Sequence, residues 1–293
     1  MATRASLRLQ VTLKANQVTS TKAQIPFDYY DLPFCRRKRT TGKTENLGER
    51  LAGDKATNSP YVLKMKQEEK CAFLCRKKVK GSELKHLRHM IDNDYRVHWL
   101  LDNLPVAVRN EELNYVTRGY PVGYIGYPKD SKKPRHYLYN HVRILVRYSE
   151  VPEEFQGSRI VGFEVTPFSI KHKYEEHIKT PTKDTVLSTC NQFSSPDEGS
   201  SGGNMASPMA QAVEGSKSEE IIFTYDVKWE PSALAWSNRW DVYLHGNPDD
   251  EIHYFSIINS FMIVLFLTGV VAMIMLRTLR KDIASYNEMQ TLE

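Results

Sequence analysis

The stretch "FMIVLFLTGVVAMIMLRTLRKD", Phe261 to Asp282, restricts the possible folds of this chain more than any other feature. From Ile257 to Leu276 there are twenty residues without a charge, and twelve of them are Ile, Leu, Val or Phe. At about 1.5 Å rise per residue this segment makes a helix of roughly 30 Å, the thickness of the hydrocarbon layer of a bilayer. At about −0.3 to −0.6 kcal/mol for each of the twelve, insertion is favoured by roughly 4 to 7 kcal/mol before polar penalties. Asn259, Ser260 and Thr268 reduce that gain without cancelling it. A helix of a soluble core is usually shorter, so residues 252–276 are predicted to be a transmembrane helix. The chain as a whole is hydrophilic, with a mean hydropathy of −0.50.

The flanks give an orientation. Asp249, Asp250 and Glu251 precede the span, and Arg277, Arg280 and Lys281 follow it. The positive-inside rule then places residues 277–293 in the cytosol and residues 1–251 in a lumen. The start, "MATRASLRLQVTLKANQ", has no apolar core of the length a signal peptide requires. A lumenal domain of this size therefore leads to the expectation of a hydrophobic leader upstream of this sequence.

Within residues 1–251 the hydrophobic residues alternate as half-buried strands require. Tyr95, Val97, Trp99 and Leu101 share one face of "YRVHWLL". Ile221, Phe223, Tyr225, Val227 and Trp229 share one face of "IIFTYDVKW", opposite Thr224, Asp226 and Lys228. "YLYNHVRILVRY" brings together Leu138, Val142, Ile144, Val146 and Tyr148, and "IVGFEVTPF" is centred on Val161, Phe163 and Val165. Leu84, Leu87, Met90 and Ile91 fall at helical spacing, which predicts a helix from Ser82 to Asp94 with Ser82 as its cap. Prolines and glycines punctuate the intervals. The prediction is a mainly β domain, an antiparallel β-sandwich with one short helix, followed by the transmembrane helix. Residues 194–220, rich in Ser, Gly and Ala, are expected to be a flexible surface insertion.

Motifs with chemical meaning are few. "GSSGG", Gly199 to Gly203, matches a nucleophile elbow in letters. A working elbow needs a strand before Ser201 and a helix after it, and neither pattern is present. "GKT" at Gly42 to Thr44 lacks the earlier glycine of a phosphate-binding loop, because Arg37 stands there. Cys71, Cys75, His86 and His89 offer two thiolates and two imidazoles to a tetrahedral zinc, but at unusual spacings. Disulfides among Cys35, Cys71, Cys75 and Cys190 suit a lumenal domain better, with three pairings open if all four are joined. On one strand, Cys71 and Cys75 would be too far apart to bond to each other.

Gly119, Gly123 and Gly126 among Tyr120, Tyr124 and Tyr127 read as turns and an aromatic strand rather than a ligand-stacking surface. No N-x-[ST] acceptor occurs, so no N-glycan is expected. The net charge of +5 draws on "CRRKRTTGK", Cys35 to Lys43. That cluster reads as a solvated loop, and a nucleic-acid partner for Arg36 to Arg39 is opposed by the membrane span. In the tail, Tyr286 and Met289 frame "YNEM", a Y-x-x-Φ pattern that cytosolic coat adaptors read in extended form. Asn259, Ser260, Thr268 and Gly269 are small or polar residues of the kind that pack helices within membranes.

Several stretches resemble one family, the nonaspanins or transmembrane nine superfamily. They are "TSTKAQIPFDYYDLPFC", "NLGERLAGDKATNSPY", "CAFLC", "HWLLDNLPVA", "YLYNHVRI", "GFEVTPFSIKH" and the block from "SNRWDVYL" through "RTLRKDIASYN". The resemblance implies a lumenal β-rich domain and nine spans, of which this chain holds the first. It implies residence in Golgi and endosome membranes, a role in sorting membrane proteins, and no catalytic residues or cofactor. The partners then expected are the lipid bilayer, membrane-protein cargo and coat adaptors, with no nucleic acid. The rival expectation is a single-pass lumenal hydrolase or zinc protein using Cys71, Cys75, His86 and His89.

Overall fold

The computed structural model describes residues 10–23, 25–43, 47, 55–110, 115–128, 133–150, 157–174, 187, 189, 210–214, 218–244 and 254–290. Two compact units result, Met1–Asn247 and Pro248–Glu293. The first is built from two facing β-sheets.

Sheet one contains β1 (Gln10–Thr19), β2 (Phe27–Asp28), β3 (Gly42–Lys43), β4 (Ala56–Lys64), β6 (Arg96–Leu101), β7 (Leu104–Pro105) and β10 (Tyr120–Pro121). Its main path is β10-β6-β1-β4-β3, with β2 on β1 and β7 on β6, and every pairing is antiparallel. Strand β6 alternates as its sequence predicts, with Val97, Trp99 and Leu101 fully buried. β1 does not keep a clean period, whereas β4 does, with Ser59, Tyr61 and Leu63 buried. In β1, Leu13 and Ala15 face the core, then a bulge shifts the phase so that Val18 does. In β4, the partners of Thr12 and Lys14 are Val62 and Asn58, so Pro60 sits in an irregularity where its missing N–H costs no ladder bond.

Sheet two contains β5 (Glu69–Val79), β8 (Ala107–Asn110), β9 (Tyr115–Arg118), β13 (His141–Ser149), β14 (Arg159–Phe168) and β15 (Glu219–Pro231), in the order β5-β15-β13-β14-β8-β9. The prediction of mainly antiparallel strands needs one amendment. β13 runs parallel to β15, and β8 parallel to β14, so this sheet is mixed. A third pairing joins β11 (Gly123–Gly126) to β12 (Arg135–Leu138). The window "YLYNHVRILVRY" is therefore two strands in two sheets, β12 and β13, separated at Tyr139 and Asn140. Gly123 is required in β11, since a Cβ there would lie 2.1 Å from the Tyr137 carbonyl oxygen.

The helix α1 (Gly81–Asp92) buries Leu84, Leu87, Met90 and Ile91, as the spacing predicts. It begins one residue earlier than expected, at Gly81. The Lys80 N–H donates to Glu83 Oε2 at 2.8 Å, so a carboxylate at the third helical position caps the helix and Ser82 does not.

Aromatic rings fill the space between the sheets. Trp99 lies 4.6 Å from Tyr61 and 4.9 Å from Tyr120, centroid to centroid, and Tyr61 lies 5.2 Å from Tyr225 on the opposite sheet. The loop after β2 adds Tyr29, stacked on Phe34 at 4.8 Å, and Phe34 meets Phe223 edge-on at 5.9 Å. Offset and edge-to-face pairs of this kind contribute roughly 0.5–1.5 kcal/mol each beyond their buried area.

A disulfide joins Cys35 on that loop to Cys75 on β5. It closes a loop of 40 residues, which in the chain-entropy treatment is worth about 4 kcal/mol. The Cys35→Ser, Cys75→Ser double variant is expected to lower the thermal midpoint by roughly 8–16 °C. Calorimetry or circular dichroism of the full chain in detergent checks this; an unchanged midpoint would refute a stabilising role.

The described residues of the second unit form the helix α2 (Tyr254–Gln290). Every side chain described from Ile257 to Gln290 is exposed, so this is not the buried helix of a soluble core. It is long and apolar enough to cross a membrane.

Candidate functional site

The thiols of the expected zinc set are already used. Cys75 is bonded to Cys35, and Cys71 is also disulfide-bonded. Cys190 lies outside the described residues. His86 packs edge-on to Phe27 at 5.6 Å, and His89 Nδ1 lies 3.2 Å from Asn93 Nδ2 at the end of α1. Oxidation removes both thiolates, so the zinc reading of Cys71, Cys75, His86 and His89 is overturned. Among the described residues no cluster of His, Cys, Asp or Glu could hold a metal. The basic stretch after Cys35 is an exposed loop, with Arg36 donating to the Tyr30 carbonyl at 3.0 Å. Gly42 and Lys43 form β3, whereas Gly199 to Gly203 lie outside the described residues.

The insertion of 194–220 is corrected at its end. Residues 194–209 and 215–217 are outside the description, but Ala210, Gln211 and Val213 are buried. Leu138 N–H donates to Gln211 O, and Val213 N–H donates to His136 O, both at 3.0 Å. Ala212 bridges to Tyr137, so this piece extends the β11–β12 pair by backbone bonding that polar composition does not reveal.

Sequence periodicity also assigns Thr224 to the outer face of its strand, yet it is 1% exposed. It sits within a buried polar chain. Thr224 Oγ1 lies 2.7 Å from His141 Nδ1 and 2.9 Å from His172 Nε2, and His172 Nδ1 lies 2.9 Å from Thr189 Oγ1. His141 Nε2 faces Asp226 Oδ2 at 3.4 Å, while Asp226 Oδ1 accepts from the Cys71 N–H at 2.7 Å. One proton arrangement satisfies every bond: Thr189 O–H donates to His172, His172 N–H to Thr224, Thr224 O–H to His141, and His141 N–H to the carboxylate. Asn140 fixes the covering segment by donating to Ile170 O at 2.7 Å and to Ile222 O at 2.8 Å, and by accepting from Ile170 N–H at 2.8 Å.

The sequence Asp226, His141, Thr224 has the composition of an acid–base–nucleophile triad. A nucleophile must reach a substrate carbonyl, and Thr224 is closed on both sides by imidazole rings. The arrangement holds structure together. Burial raises the Asp226 carboxyl, but bonds from His141 and the Cys71 N–H, together with Arg143, outweigh this and lower its pKa overall.

An open groove of about 450 Å³ lies at one end of the sandwich. Val11, Met65, Leu100 and Ile160 give it apolar walls, and Lys14, Asp102 and Arg159 give it charge. Leu13 is the first residue of β1 that pairs with β6, opposite Leu101, so the segment Gln10–Thr12 lines the groove beyond the end of that ladder. The turn Asp102–Asn103, with φ of 49° and 63°, ends the β6 edge there.

The family profile of Endomembrane protein 70 matches residues 26–293. The chain is 44% identical over 292 residues to transmembrane 9 superfamily member 9 of Arabidopsis thaliana, covering 97% of this chain and 43% of that protein. It is 38% identical over 304 residues to transmembrane 9 superfamily member 4 of Homo sapiens, covering 97% of this chain and 44% of that protein. The chain belongs to the Endomembrane protein 70 family. It spans less than half the length of these transmembrane 9 relatives. No solved structure matches it significantly.

In this member of the Endomembrane protein 70 family, α2 places the four small or polar span residues on different sides. At about 100° per residue, Asn259, Ser260, Thr268 and Gly269 point in directions roughly 0°, 100°, 180° and 280° around the axis, so no single neighbouring helix would touch them all. Thr268 Oγ1 donates to the Val264 carbonyl at 2.8 Å, which satisfies its hydroxyl within the helix. Tyr286 and Met289 also lie on α2. An adaptor that reads extended peptide would have to unwind that turn.

Two half-buried, largely desolvated imidazoles set a pH dependence. Burial lowers His172 to about 4, with His141 adding to the effect. Burial likewise lowers His98 to about 4, with Arg96 and Arg118 adding to it. Each binds a proton more readily when unfolded, so stability is full above about pH 6.5 and is lost as the pH falls toward 4. The loss is roughly 2 kcal/mol per histidine at about pH 5. The unfolding midpoint of the full chain is therefore expected to be several degrees lower at about pH 5 than at about pH 7.5, and His172→Gln should flatten that slope. A midpoint that does not respond to pH would contradict it.

Proposed function

We propose that this chain is a non-enzymatic, membrane-anchored recognition domain facing the lumen of Golgi and endosome membranes, where it takes part in the sorting of membrane proteins. The observation that carries this reading is an oxidised Cys35–Cys75 pair in the domain that precedes an apolar helix long enough to span a membrane. Such bonds persist in lumenal compartments. The charges agree: Asp249, Asp250 and Glu251 lie before the span, and Arg277, Arg280 and Lys281 after it. Membership of the Endomembrane protein 70 family supports the endomembrane setting.

On this reading the groove lined by Met65, Leu100, Asp102 and Arg159 contacts cargo, because its apolar walls and charged rim suit a short amphipathic segment. The rigid, disulfide-tied sandwich presents that groove without a large ordering cost. Residues 277–293 lie in the cytosol, where Tyr286 and Met289 would serve coat adaptors only if the last turns of α2 open.

Two measurements test the reading. In sealed microsomes, externally added protease should leave residues 10–244 intact and remove only a C-terminal tag. Digestion of the β-domain in intact vesicles would reverse the orientation and reject the proposal. A photo-crosslinker placed at Met65 should give membrane-protein adducts that Arg159→Glu reduces by several-fold; equal labelling from a site remote from the groove would remove the groove from the account.

A further inference from the structure

The segment between β15 and the span is folded inside out. Short 3-10 helices cover Trp236–Asn238 and Asp241–Leu244. Trp236, Trp240 and Leu244, spaced by four, are 41%, 45% and 79% exposed. The residues three along from the first two turn inward instead. Arg239 is buried and donates to Asp102 Oδ2 at 2.9 Å and to Ile160 O at 3.4 Å, and the Tyr243 hydroxyl donates to Pro105 O at 2.6 Å. Two anchored polar residues thus hold the stripe with its two indoles outward. In a water-facing segment the opposite arrangement is expected, because large apolar side chains are favoured inside.

The surroundings of Trp236 narrow the choice of partner. The Arg239 guanidinium lies 4.5 Å from its ring centroid and that of Arg159 lies 5.1 Å away. An indole flanked by guanidinium groups is an apolar body held beside positive charge, which suits a surface that carries phosphate. That is the chemistry of the bilayer interface, where tryptophan is enriched. Chain length adds a limit. Leu244 and Tyr254, the first residue of α2, are ten positions apart, so Leu244, the last residue of the stripe, is tethered within about 36 Å of the start of that helix.

We propose that Trp236, Trp240 and Leu244 enter the headgroup–acyl boundary of the bilayer that α2 crosses, making this segment a second membrane contact. The proposal requires α2 to be a span and does not depend on cargo binding, so the crosslinking and protease results above can fail without it.

The test uses the full chain reconstituted into phosphatidylcholine vesicles, with and without bromine on the acyl chains close to the headgroup. The chain has four tryptophans, and α2 contains none. Trp99 and Trp229 are buried, so bromine can reach only Trp236 and Trp240. Roughly half of the emission is expected to be quenched, and the Trp236→Phe, Trp240→Phe variant should lose that quenching. Its remaining emission should stay shielded from aqueous acrylamide, which reports that Trp99 and Trp229 are still in a folded core. Three outcomes overturn the proposal: no bromine quenching of the parent chain, quenching that survives in the variant, or indoles shielded from both quenchers, as they would be under a second copy of the chain or another protein.

Discussion

The sandwich depends on one point where its two sheets are fastened through a loop. Phe34 and Cys35 are adjacent on that loop, and Phe223 and Cys75 are direct partners across β15 and β5. The Phe34–Phe223 ring contact and the Cys35–Cys75 bond therefore form two neighbouring attachments between the same pair of surfaces. From this point the rings of Tyr29, Trp99, Tyr61 and Tyr225 continue between the sheets. Ring edges meeting ring faces fix orientation as well as spacing, which aliphatic packing alone does poorly. The covalent bond acts on the unfolded ensemble, and the rings act on the folded one. They stabilise the same junction by different means.

β15 shows a second constraint. Its inner face, from Ile221 through Phe223, Tyr225 and Val227 to Trp229, is buried against the other sheet. Part of its outer face is buried too, because the segment after β14 passes over Ile222 and Thr224. A threonine in that position needs partners for its hydroxyl, and a desolvated hydroxyl left alone costs roughly 1–3 kcal/mol. His141 and His172 supply them, and Asp226 and Thr189 complete the ends. Further along the same outer face the environment is wetter and the solution changes. Glu164 lies between Arg109 at 2.7 Å and Arg147 at 2.5 Å, and Arg143 lies 3.6 Å from Asp226. Cross-strand ion pairs of this partly exposed kind contribute only about 0.2–1 kcal/mol each, so they set strand register more than stability.

These two constraints explain what could be read from the sequence. The strand around Trp99 and the helix around Leu87 were legible because one face is buried and the other is wetter, and the strand from Ile221 to Trp229 because its inner face repeats a large apolar residue at every second position. β1 was not, since a bulge between Ala15 and Val18 breaks its alternation, and β4 alternates but carries the polar Ser59 on its buried face and Pro60 on the other. β5 carries "CRKKV" and has most of its residues half-buried, so charge conceals a strand that pairs along much of β15. The parallel pairing of β13 with β15 depends on contacts far apart in sequence, which no local pattern encodes. In the candidate site, a lumenal setting marks the cysteines as disulfide formers. The histidine chain leaves no sequence signal, because His141, His172 and Thr224 are separated by long intervals and only the fold brings them together.

The remaining helix ties composition to placement. α2 has 37 residues and is about 55 Å long, against roughly 30 Å of hydrocarbon. If the apolar run from Ile257 to Leu276 fills the hydrocarbon, the fourteen residues that follow extend about 20 Å past it. Arg277, Arg280 and Lys281 stand at positions i, i+3 and i+4 of that extension and share one face. Three cations on one side of a helix leaving the acyl region lie at headgroup depth, where phosphate oxygens can receive them. That fixes the depth of the helix more firmly than its apolar length could, since a hydrophobic run of this size tolerates tilt and sliding. The basic stripe sets one end of the span, and the outward-facing indoles of Trp236 and Trp240 belong to the chain that enters the other.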